Sequence, residues 1–335
     1  MLYSAKLPIC RSLAIVERIR LISEVLEKME EVLDILADIS ADVANADFIE
    51  ISDLSPSEIG SFAKVWFAIP VDRKRSILST MASLAEDNTE LDFCAVFKMC
   101  LKDPDETVQK TAIEGLWEYE DRSIIAGLVQ ILRSNRSPFV RSTAAVALGK
   151  FAYLTQEGKL LPKDGSEIFE NLMDTLSDED EDLEVRRRSL EAVAPFNTDV
   201  IRGYVTWAYE SDDMDLKSSS IYAMGRTGEP SWIPCLMKEL QSPEPSVRYE
   251  TANACGDLGD EDVVPDLVQL LEDDDYQVQI AGINALGKIG GVLAKRVLTR
   301  CIKEGDAALE DAARAALEDV EFLDDPMAYP SSTGV

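Results

Sequence analysis

Large aliphatic residues recur along the chain at nearly constant intervals and divide it into repeats. Successive anchor residues of this kind are separated by 32, 45, 31, 31, 31 and 31 residues. The one long interval exceeds the 31-residue period by 14 residues and contains an insertion at residues 153–165. The anchors are Val108, Val140, Val185, Leu216, Val247, Val278 and Leu309. Such a fixed period is the signature of a protein built from stacked supersecondary units.

Small residues follow each anchor at fixed offsets, and they predict a close-packed helix. Offsets of four and seven residues carry small side chains, and the offset of eight carries an apolar one. Positions 0, 4, 7 and 8 share one face of an α-helix, and small side chains there let a second helix approach closely. The residues four after the anchor are Ala112, Ala144, Ser189, Ser220, Thr251, Gly282 and Ala313, and those seven after are Gly115, Ala147, Ala192, Ala223, Ala254, Ala285 and Ala316.

A turn and a second apolar segment complete each repeat. Four repeats place a glycine nine residues after the anchor, where we predict a left-handed C-cap that ends the first helix. These glycines are Gly149, Gly225, Gly256 and Gly287. Second helices are predicted at residues 124–132, 232–240, 263–271 and 292–302. Because one helix pair cannot bury its own apolar faces, the pairs are expected to stack into an all-α, right-handed α-α superhelix.

The repeats resemble a known family. Strings such as SPFVRSTAAVALGKF, PSVRYETANACGDLGDEDVVPDLVQLL and YQVQIAGINALGKIG are similar to HEAT repeats, in particular the short HEAT-like units named after phycobilin lyases. The resemblance covers residues 102–320 and implies a HEAT/armadillo-like solenoid. In that family the residue after the anchor is commonly an arginine that pairs with an acidic residue in the preceding turn. Here the residue after the anchor is Gln109, Arg141, Arg186, Lys217, Arg248, Gln279 or Glu310, and the candidate acidic partners are Asp182, Asp213 and Glu244. Such pairs would form a ladder of polar contacts between repeats, and we expect this ladder to be broken at Gln109, Gln279 and Glu310.

The two ends are less regular, and we divide the chain into an N-terminal helix and cap (residues 1–54), the repeats (55–320) and a tail (321–335). Helices are predicted at 56–69, 73–85 and 91–101, the first of them opened by a capping box of Ser55 and Glu58 with Pro56 at the first helical position. Apolar residues from Ile15 to Leu36 follow heptad spacing. This helix either caps the first repeats or forms a homodimer through residues 11–44.

Composition narrows the classes of partner. The chain has 33 basic and 63 acidic residues and a net charge of -30, which repels phosphate backbones, so no nucleic acid is expected as a partner. No apolar run approaches the length of a membrane span, so no membrane partner is expected either. The cysteines are scattered without a paired motif, which favours reduced thiols and a cytoplasmic location. They are Cys10, Cys94, Cys100, Cys235, Cys255 and Cys301.

The absence of histidine limits the available chemistry. HEAT-type deoxyhypusine hydroxylases hold two irons with His-Glu dyads, and this chain, which has no histidine, cannot form such a site. Ser-His-Asp and Cys-His nucleophiles and the usual zinc constellations are excluded for the same reason. We expect no cofactor and no catalytic residue. The acidic run at residues 178–182, just before Arg186–Arg188, is interpreted as a solvated turn with local charge pairing.

The predicted function is therefore a non-catalytic scaffold or adaptor that holds a protein partner on a concave face lined by the second helices. The alternative is a phycobilin lyase-like protein that attaches or handles bilin on a partner, as the family resemblance implies. The insertion at residues 153–165 is a candidate contact loop or lid. Trp117 and Trp232 are expected in the core. The basic residues on one late helix suit an acidic protein partner better than a DNA duplex. The predicted partner-binding residues are Trp207, Tyr209, Arg202, Lys295, Arg296 and Arg300.

Overall fold

The computed structural model describes residues 28–134, 136–304 and 307–324, and all regular structure in them is helical. No strand occurs in these ranges, which confirms the predicted all-α class. The chain divides into two compact units, one ending at Ala144 and the other beginning at Ala145. No helix in the described ranges is both long enough and apolar enough to cross a membrane.

Each unit consists of short helices joined by tight turns. The first unit contains α1 (residues 28–37), α2 (Asn45–Ile49), α3 (Pro56–Trp66), α4 (Val71–Asp87), α5 (Cys94–Cys100), α6 (Glu106–Gly115), α7 (Ile125–Ser134) and the start of α8 (Pro138–Gln156). The second unit continues α8 and adds α9 (Pro162–Ser177), α10 (Leu183–Val193), α11 (Asp199–Tyr209), α12 (Met214–Thr227), α13 (Ile233–Glu239), α14 (Pro245–Leu258), α15 (Val264–Gln269), α16 (Tyr276–Ile289), α17 (Gly291–Glu304) and α18 (Ala307–Asp324).

The repeat pattern corresponds to the observed helix pairs. The seven anchors lie on α6, α8, α10, α12, α14, α16 and α18, which are the first helices of the repeats. The first six anchors are buried, and so are the small residues four positions later, such as Ala112, Ser189 and Thr251. The alanines seven positions after the anchors of α10, α12, α14, α16 and α18 are buried as well. The predicted inner face of the first helices is therefore confirmed.

The glycines nine residues after the anchors do not end their helices, so the predicted C-caps are wrong. Gly225 lies inside α12, which ends three residues later at Gly228 with a φ of 64°. Likewise α14 ends at Gly259 with a φ of 69°, and α16 at Gly290 with a φ of 74°. Only a residue without a Cβ adopts this left-handed backbone readily, so the second glycine of each repeat is the cap.

The inner glycines instead allow successive first helices of the second unit to touch. A Cβ placed on Gly225 would lie 2.7 Å from the Cα of Ala254, closer than real side chains come. The same contact recurs between Gly256 and Ala285 at 3.0 Å and between Gly287 and Ala316 at 2.9 Å. Glycine on one helix and alanine on the next thus bring the two backbones together, as ridges-into-grooves packing with very small residues requires.

Second helices form where the apolar segments predict them, and several open with a single turn of 3₁₀ helix. These turns are Arg122–Ile124 before α7, Pro230–Trp232 before α13 and Glu261–Val263 before α15. An acidic side chain just before each turn accepts a backbone N–H, as helix N-termini favour. In the first unit the predicted capping box is confirmed, because Ser55 N donates to Glu58 Oε2 at 2.8 Å.

The insertion at residues 153–165 is a loop only at residues 157–161, so a lid of the predicted length does not form. Residues 153–156 continue α8, which has 19 residues where α12, α14 and α16 have 14 each, and residues 162–165 begin α9. The chain then re-enters a helix at Pro162, and only residues 157–161 connect the two. Additional residues that continue a helix keep their backbone hydrogen bonds satisfied and extend the packed surface.

In four repeats the residue after the anchor, Gln109, Arg186, Arg248 or Gln279, donates to a backbone carbonyl group and does not pair with the predicted acidic residues. Gln109 Nε2 donates to Leu101 O at 3.0 Å, and Gln279 Nε2 donates to Asp273 O at 2.5 Å. Both acceptor residues lie at the C-terminal end of the preceding apolar helix, where carbonyl groups have no hydrogen-bond partner within the helix. Glutamine supplies the required N–H as arginine does, so the breaks expected at Gln109 and Gln279 do not occur.

The acidic residues assigned to that slot have other partners. Asp182 and Asp213 each accept a backbone N–H at the start of their own helix, from Glu184 and Leu216, both at 2.9 Å. Arg248 pairs with Asp273, Nε to Oδ2, at 2.6 Å. Arg248 therefore stabilises the end of its own repeat's second helix, whereas Asp182 and Asp213 cap the first helices of their repeats and Glu244 makes no side-chain cap.

The N-terminal heptad seam falls mostly outside the described residues. Within α1, the seam residues Met29, Leu33 and Leu36 are buried in the first unit, and Arg73 Nε donates to Leu36 O at 2.6 Å. This part of the seam is covered by its own unit, as a cap requires, whereas the homodimer through residues 11–44 stays a prediction. At the other end, α18 continues to Asp324, and the remainder of the predicted tail lies outside the described residues.

Candidate functional site

A stripe of exposed side chains runs along α11, the second helix of its repeat. The helix starts after Thr198, whose Oγ1 accepts the N–H of Ile201 at 3.3 Å, and buries Ile201, Val205 and Ala208. The opposite face carries Val200, Gly203, Tyr204 and Trp207, at spacings of three and four that place them in one line. Val200 is 59% exposed and Trp207 is 40% exposed, large values for such side chains.

This stripe forms one wall of an open groove of about 570 Å³. The other wall comes from the end of α9 and from α10, through Ser177, Glu179 and Arg186. All of these residues belong to the second compact unit. A concave surface that combines exposed apolar area with a few charged groups is typical of binding sites.

Trp207 is held in place by one cationic neighbour, Arg186, and one aromatic neighbour, Tyr204. The guanidinium carbon of Arg186 lies 5.0 Å from the indole centroid, within the range of a cation–π contact. Arg186 Nε also donates to Leu176 O at 3.1 Å, which fixes the guanidinium. Tyr204 meets the indole edge-on, with ring centroids 6.3 Å apart. These contacts fix the orientation of the ring, so covering it would cost little conformational entropy.

The groove floor is open at Gly203. A Cβ placed there would meet no atom within 4 Å, so the position is not needed for packing inside the unit. The missing side chain leaves an open gap on the helix surface between Val200 and Trp207.

Five consecutive acidic residues, 178–182, form the loop between α9 and α10, and Glu179 of this loop lines the groove. Arg187 and Arg188 pair with Glu184 and Glu191 on their own helix. Within the loop, Asp180 N donates to Asp178 Oδ1 at 3.0 Å and Asp182 N donates to Glu181 Oε1 at 2.7 Å.

Tyr209 does not belong to this surface, although we predicted it to be exposed. It is half-buried, and its hydroxyl donates to Glu239 Oε1 at 2.6 Å. Lys217 Nζ lies 3.1 Å from the other oxygen of the same carboxylate. Burial raises the pKa of Tyr209, and the neighbouring Cys235 and Glu239 raise it further. This cluster joins α11, α12 and α13, so the residue packs the repeats together.

The two other predicted tryptophans also differ from expectation. Trp117 was expected in the core but is 52% exposed. Trp232 is only half-buried, and its indole nitrogen is buried without a hydrogen-bond partner among the described residues. An aromatic side chain near the end of a repeat can point into the core or into solvent, because the backbone geometry of the adjoining turn sets its direction.

The basic residues predicted for binding lie in two other places. Arg202 donates to Asn197 Oδ1 at 2.8 Å and pairs with Asp199, so it stabilises the turn before α11. Lys295, Arg296 and Arg300 lie on α17, where Lys295 is half-buried and the two arginines are exposed. None of the α17 residues lines the groove at α11. The six predicted residues therefore do not form one cluster.

Sequence reasoning found Trp207 but missed the rest of the groove. Val200, Gly203 and Tyr204 share its helical spacing, which is a signal present in the sequence. The contributions of Glu179 and Arg186 carry no such signal, because Glu179 reaches the groove from the loop after α9 and Arg186 from α10.

Comparison with known proteins identifies the repeat type. The family model for HEAT repeats matches residues 95–161 and 233–318. These two segments are HEAT repeats. The groove at α11 lies in the part of the chain between the two HEAT segments. A comparison with curated proteins found no match to this sequence.

Several solved HEAT-like structures are similar to the chain at low sequence identity. The CpcE–CpcF complex of phycocyanin lyase from Nostoc sp. PCC7120 is 19% identical, with 69% of this chain and 94% of that chain covered and a TM-score of 0.44. Human deoxyhypusine hydroxylase is 17% identical, with 89% and 98% covered and a TM-score of 0.34. Importin beta is 12% identical, with 94% and 54% covered and a TM-score of 0.35. None of these similarities assigns a role to a residue of the HEAT repeats described above.

Proposed function

We propose that this HEAT-repeat chain is a non-catalytic scaffold or adaptor that holds a partner protein in the groove of α11. The observation that carries the proposal is the exposed, immobilised indole of Trp207 beside the open backbone at Gly203. Tryptophan is the residue most enriched among side chains that dominate interface energetics. The site holds no nucleophile with an activating base, so its chemistry is that of recognition. A cytoplasmic location, expected from the scattered cysteines, belongs to the same proposal.

The energetics of the groove support a role in binding. A partner that covers Val200 and Trp207 removes a large apolar area from water, at about 25 cal/mol per Å². Because Arg186 and Tyr204 already hold the indole, little of that gain is lost to ordering the side chain. The favourable contact is concentrated at the centre of the groove, as in other interfaces dominated by a few residues.

Trp207→Ala tests the proposal by affinity capture followed by quantitative mass spectrometry. We expect partner proteins recovered with the wild-type chain to decrease at least tenfold with the variant, since loss of a central tryptophan costs about 2 kcal/mol or more. Trp117→Ala is the matched control, because it removes a tryptophan of the other unit that is at least as exposed, and it should recover the same partners. Circular dichroism checks that both variants are folded.

Equal recovery by the wild type and Trp207→Ala would contradict the proposal. The phycobilin lyase-like alternative has its own test, which is incubation with a bilin and an apo-phycobiliprotein. A covalent chromophore adduct would support that alternative, whereas binding without an adduct supports the scaffold.

A further inference from the structure

We propose that the exposed face of α17 is a second docking surface, which binds an acidic protein segment that carries an apolar residue at one end. This inference goes beyond the proposed function, because no residue of α17 lines the α11 groove. It follows from two features that share one face of the helix, a basic stripe and an exposed apolar pair.

The basic stripe consists of Arg296, Arg300 and Lys303. Their spacings of four and three residues place the three side chains in one line along the helix, and all three are exposed. The opposite face of α17 packs into the second unit through Ala294 and Leu298, which are fully buried. The stripe is therefore not needed to hold the helix in place.

The cations of the stripe have no carboxylate partner among the described residues. On the helix before, Lys288 pairs with Asp257 at 2.7 Å, and on the helix after, Arg314 pairs with Glu310. By contrast, no stripe residue forms an ion pair or a side-chain hydrogen bond in the described ranges. Residues 291–303 hold four basic side chains and no acidic one, in a chain with 63 acidic and 33 basic residues. Direct contacts therefore leave the positive charge of the stripe available to a partner.

An exposed apolar pair adjoins the first arginine of the stripe. Val292 is 78% exposed and Leu293 is 41% exposed, and they precede Arg296 by four and three residues, about one turn. A partner side chain that covers this pair removes apolar area from water. Since exposed ion pairs alone contribute little affinity, the apolar pair supplies attraction while the cations select the charge of the partner.

The two arginines favour a protein segment over a phosphate surface. Each guanidinium can bind a carboxylate through two parallel N–H donors, and Arg296 and Arg300 lie about 6 Å apart along the helix axis. A short segment with two or more carboxylates can contact the stripe alone. A DNA duplex or an anionic membrane would approach a larger part of the protein, whose net charge of -30 repels it.

Selection of random dodecapeptides by phage display against the full chain tests this chemistry. We expect one group of enriched peptides to carry two or more aspartates or glutamates together with an apolar residue, although the net charge of the chain disfavours acidic ligands elsewhere. This group should bind Trp207→Ala as well as the wild type, so its outcome is separate from that of the proposed function. If no acidic group is enriched, the inference is overturned and the α11 groove is unaffected.

Fluorescence polarisation with a selected acidic peptide measures both parts of the surface. Arg296→Gln/Arg300→Gln should weaken binding about tenfold, because two carboxylate contacts are lost. The control Arg133→Gln/Arg136→Gln removes the same charge from two exposed arginines of the other unit and should change binding less than about twofold. Val292→Ser should weaken binding about threefold, because the apolar contact shrinks. Equal effects of the two double variants, or unchanged binding by Val292→Ser, would overturn the inference.

Other occupants of this face give different outcomes. Co-sedimentation with vesicles of phosphatidylserine in phosphatidylcholine and a gel shift with a random-sequence DNA duplex test phosphate surfaces, and gel filtration tests a second copy of the chain. Binding or dimerisation that Arg296→Gln/Arg300→Gln abolishes would assign the face to that occupant and overturn the inference. Wild-type and variant chains that behave alike in all three assays agree with it.

Discussion

Glu250 is the residue whose surroundings conflict most with its charge. It lies on α14 and is half-buried, next to the carboxylates of Glu191 and Asp257 with Arg188 as the opposing cation. Burial raises the pKa of Glu250 to about 7, and the two neighbouring carboxylates contribute to the rise. The protein therefore holds a carboxyl group that is about half protonated near neutral pH.

The raised pKa makes folding stability depend on pH in a defined direction. An unfolded glutamate titrates at 4.5, so between this value and about 7 the folded chain binds a proton that the unfolded chain has released. Stability from this group is full below pH 4.5 and is lost as the pH rises through 7. Glu250→Gln should therefore stabilise the chain by roughly 1–3 kcal/mol near pH 8 and hardly at all near pH 4.

Urea unfolding of the wild type and Glu250→Gln at several pH values measures this difference. Asp262→Asn, which neutralises an exposed carboxylate, is the control and should leave the pH profile unchanged. If the free energy of unfolding of Glu250→Gln has the same pH dependence as that of the wild type, Glu250 is ionised in the folded chain and the assignment is wrong.

At the scale of the helix, glycine sets how closely the repeats of the second unit stack. Gly225, Gly256 and Gly287 each face an alanine of the next first helix at a distance that leaves no room for a Cβ. The intrinsic preference of helices for alanine over glycine, about 1 kcal/mol, is therefore outweighed by packing at these positions. Neighbouring helices cannot separate locally without disturbing the buried anchors beside them.

Gly225→Ala is expected to destabilise the chain by about 1–2 kcal/mol, because the new Cβ would lie 2.7 Å from the Cα of Ala254 and must push two helices apart. Gly60→Ala is the matched control, since that glycine is also inside a helix but has no atom within 4 Å of a new Cβ. The control should gain about 0.5–1 kcal/mol from helix propensity. Thermal unfolding followed by circular dichroism measures both, and a gain in both variants would contradict the packing argument.

At the scale of the whole molecule, the charge balance opposes the folded state. The 63 acidic residues exceed the 33 basic ones by 30, and compact folding brings the excess carboxylates closer together. Local ion pairs such as Lys74–Asp103, at 2.9 Å, neutralise individual charges without removing the excess. The long-range part of this repulsion is sensitive to salt, because the Debye length falls from about 30 Å at 0.01 M to about 8 Å at 0.15 M.

The melting temperature should therefore rise with sodium chloride by a few degrees, mostly below about 0.15 M, where screening changes most. Differential scanning fluorimetry across a salt series measures this. A melting temperature that falls with salt would show that attractive ion pairs outweigh the repulsion. A rise that continues evenly to high salt would indicate a general effect of salt on apolar surface instead.

The sequence by itself determined the helical class, the repeat period and the buried face of the first helices. Anchors such as Val185 and Val247 and the alanines after them are buried as predicted, because a helix buries a face of fixed spacing whatever its neighbours are. The same local rule applies to the capping box at Ser55 and Glu58, whose partners are three residues apart. Trp207 could be proposed as a contact residue from its residue type, because tryptophan is common among interface anchors.

Only the tertiary structure decided the roles of residues whose partners are distant in sequence. Glycine serves equally as a helix cap and as a site of close helix contact, and the position of the next helix distinguishes Gly228 from Gly225. Tyr209 was assigned to the surface, yet its hydroxyl meets Glu239 of another helix. The groove itself combines Glu179 and Trp207 from different elements. Such pairings arise when helices pack, and a pattern read along one helix contains no information about the side chains that approach it from another.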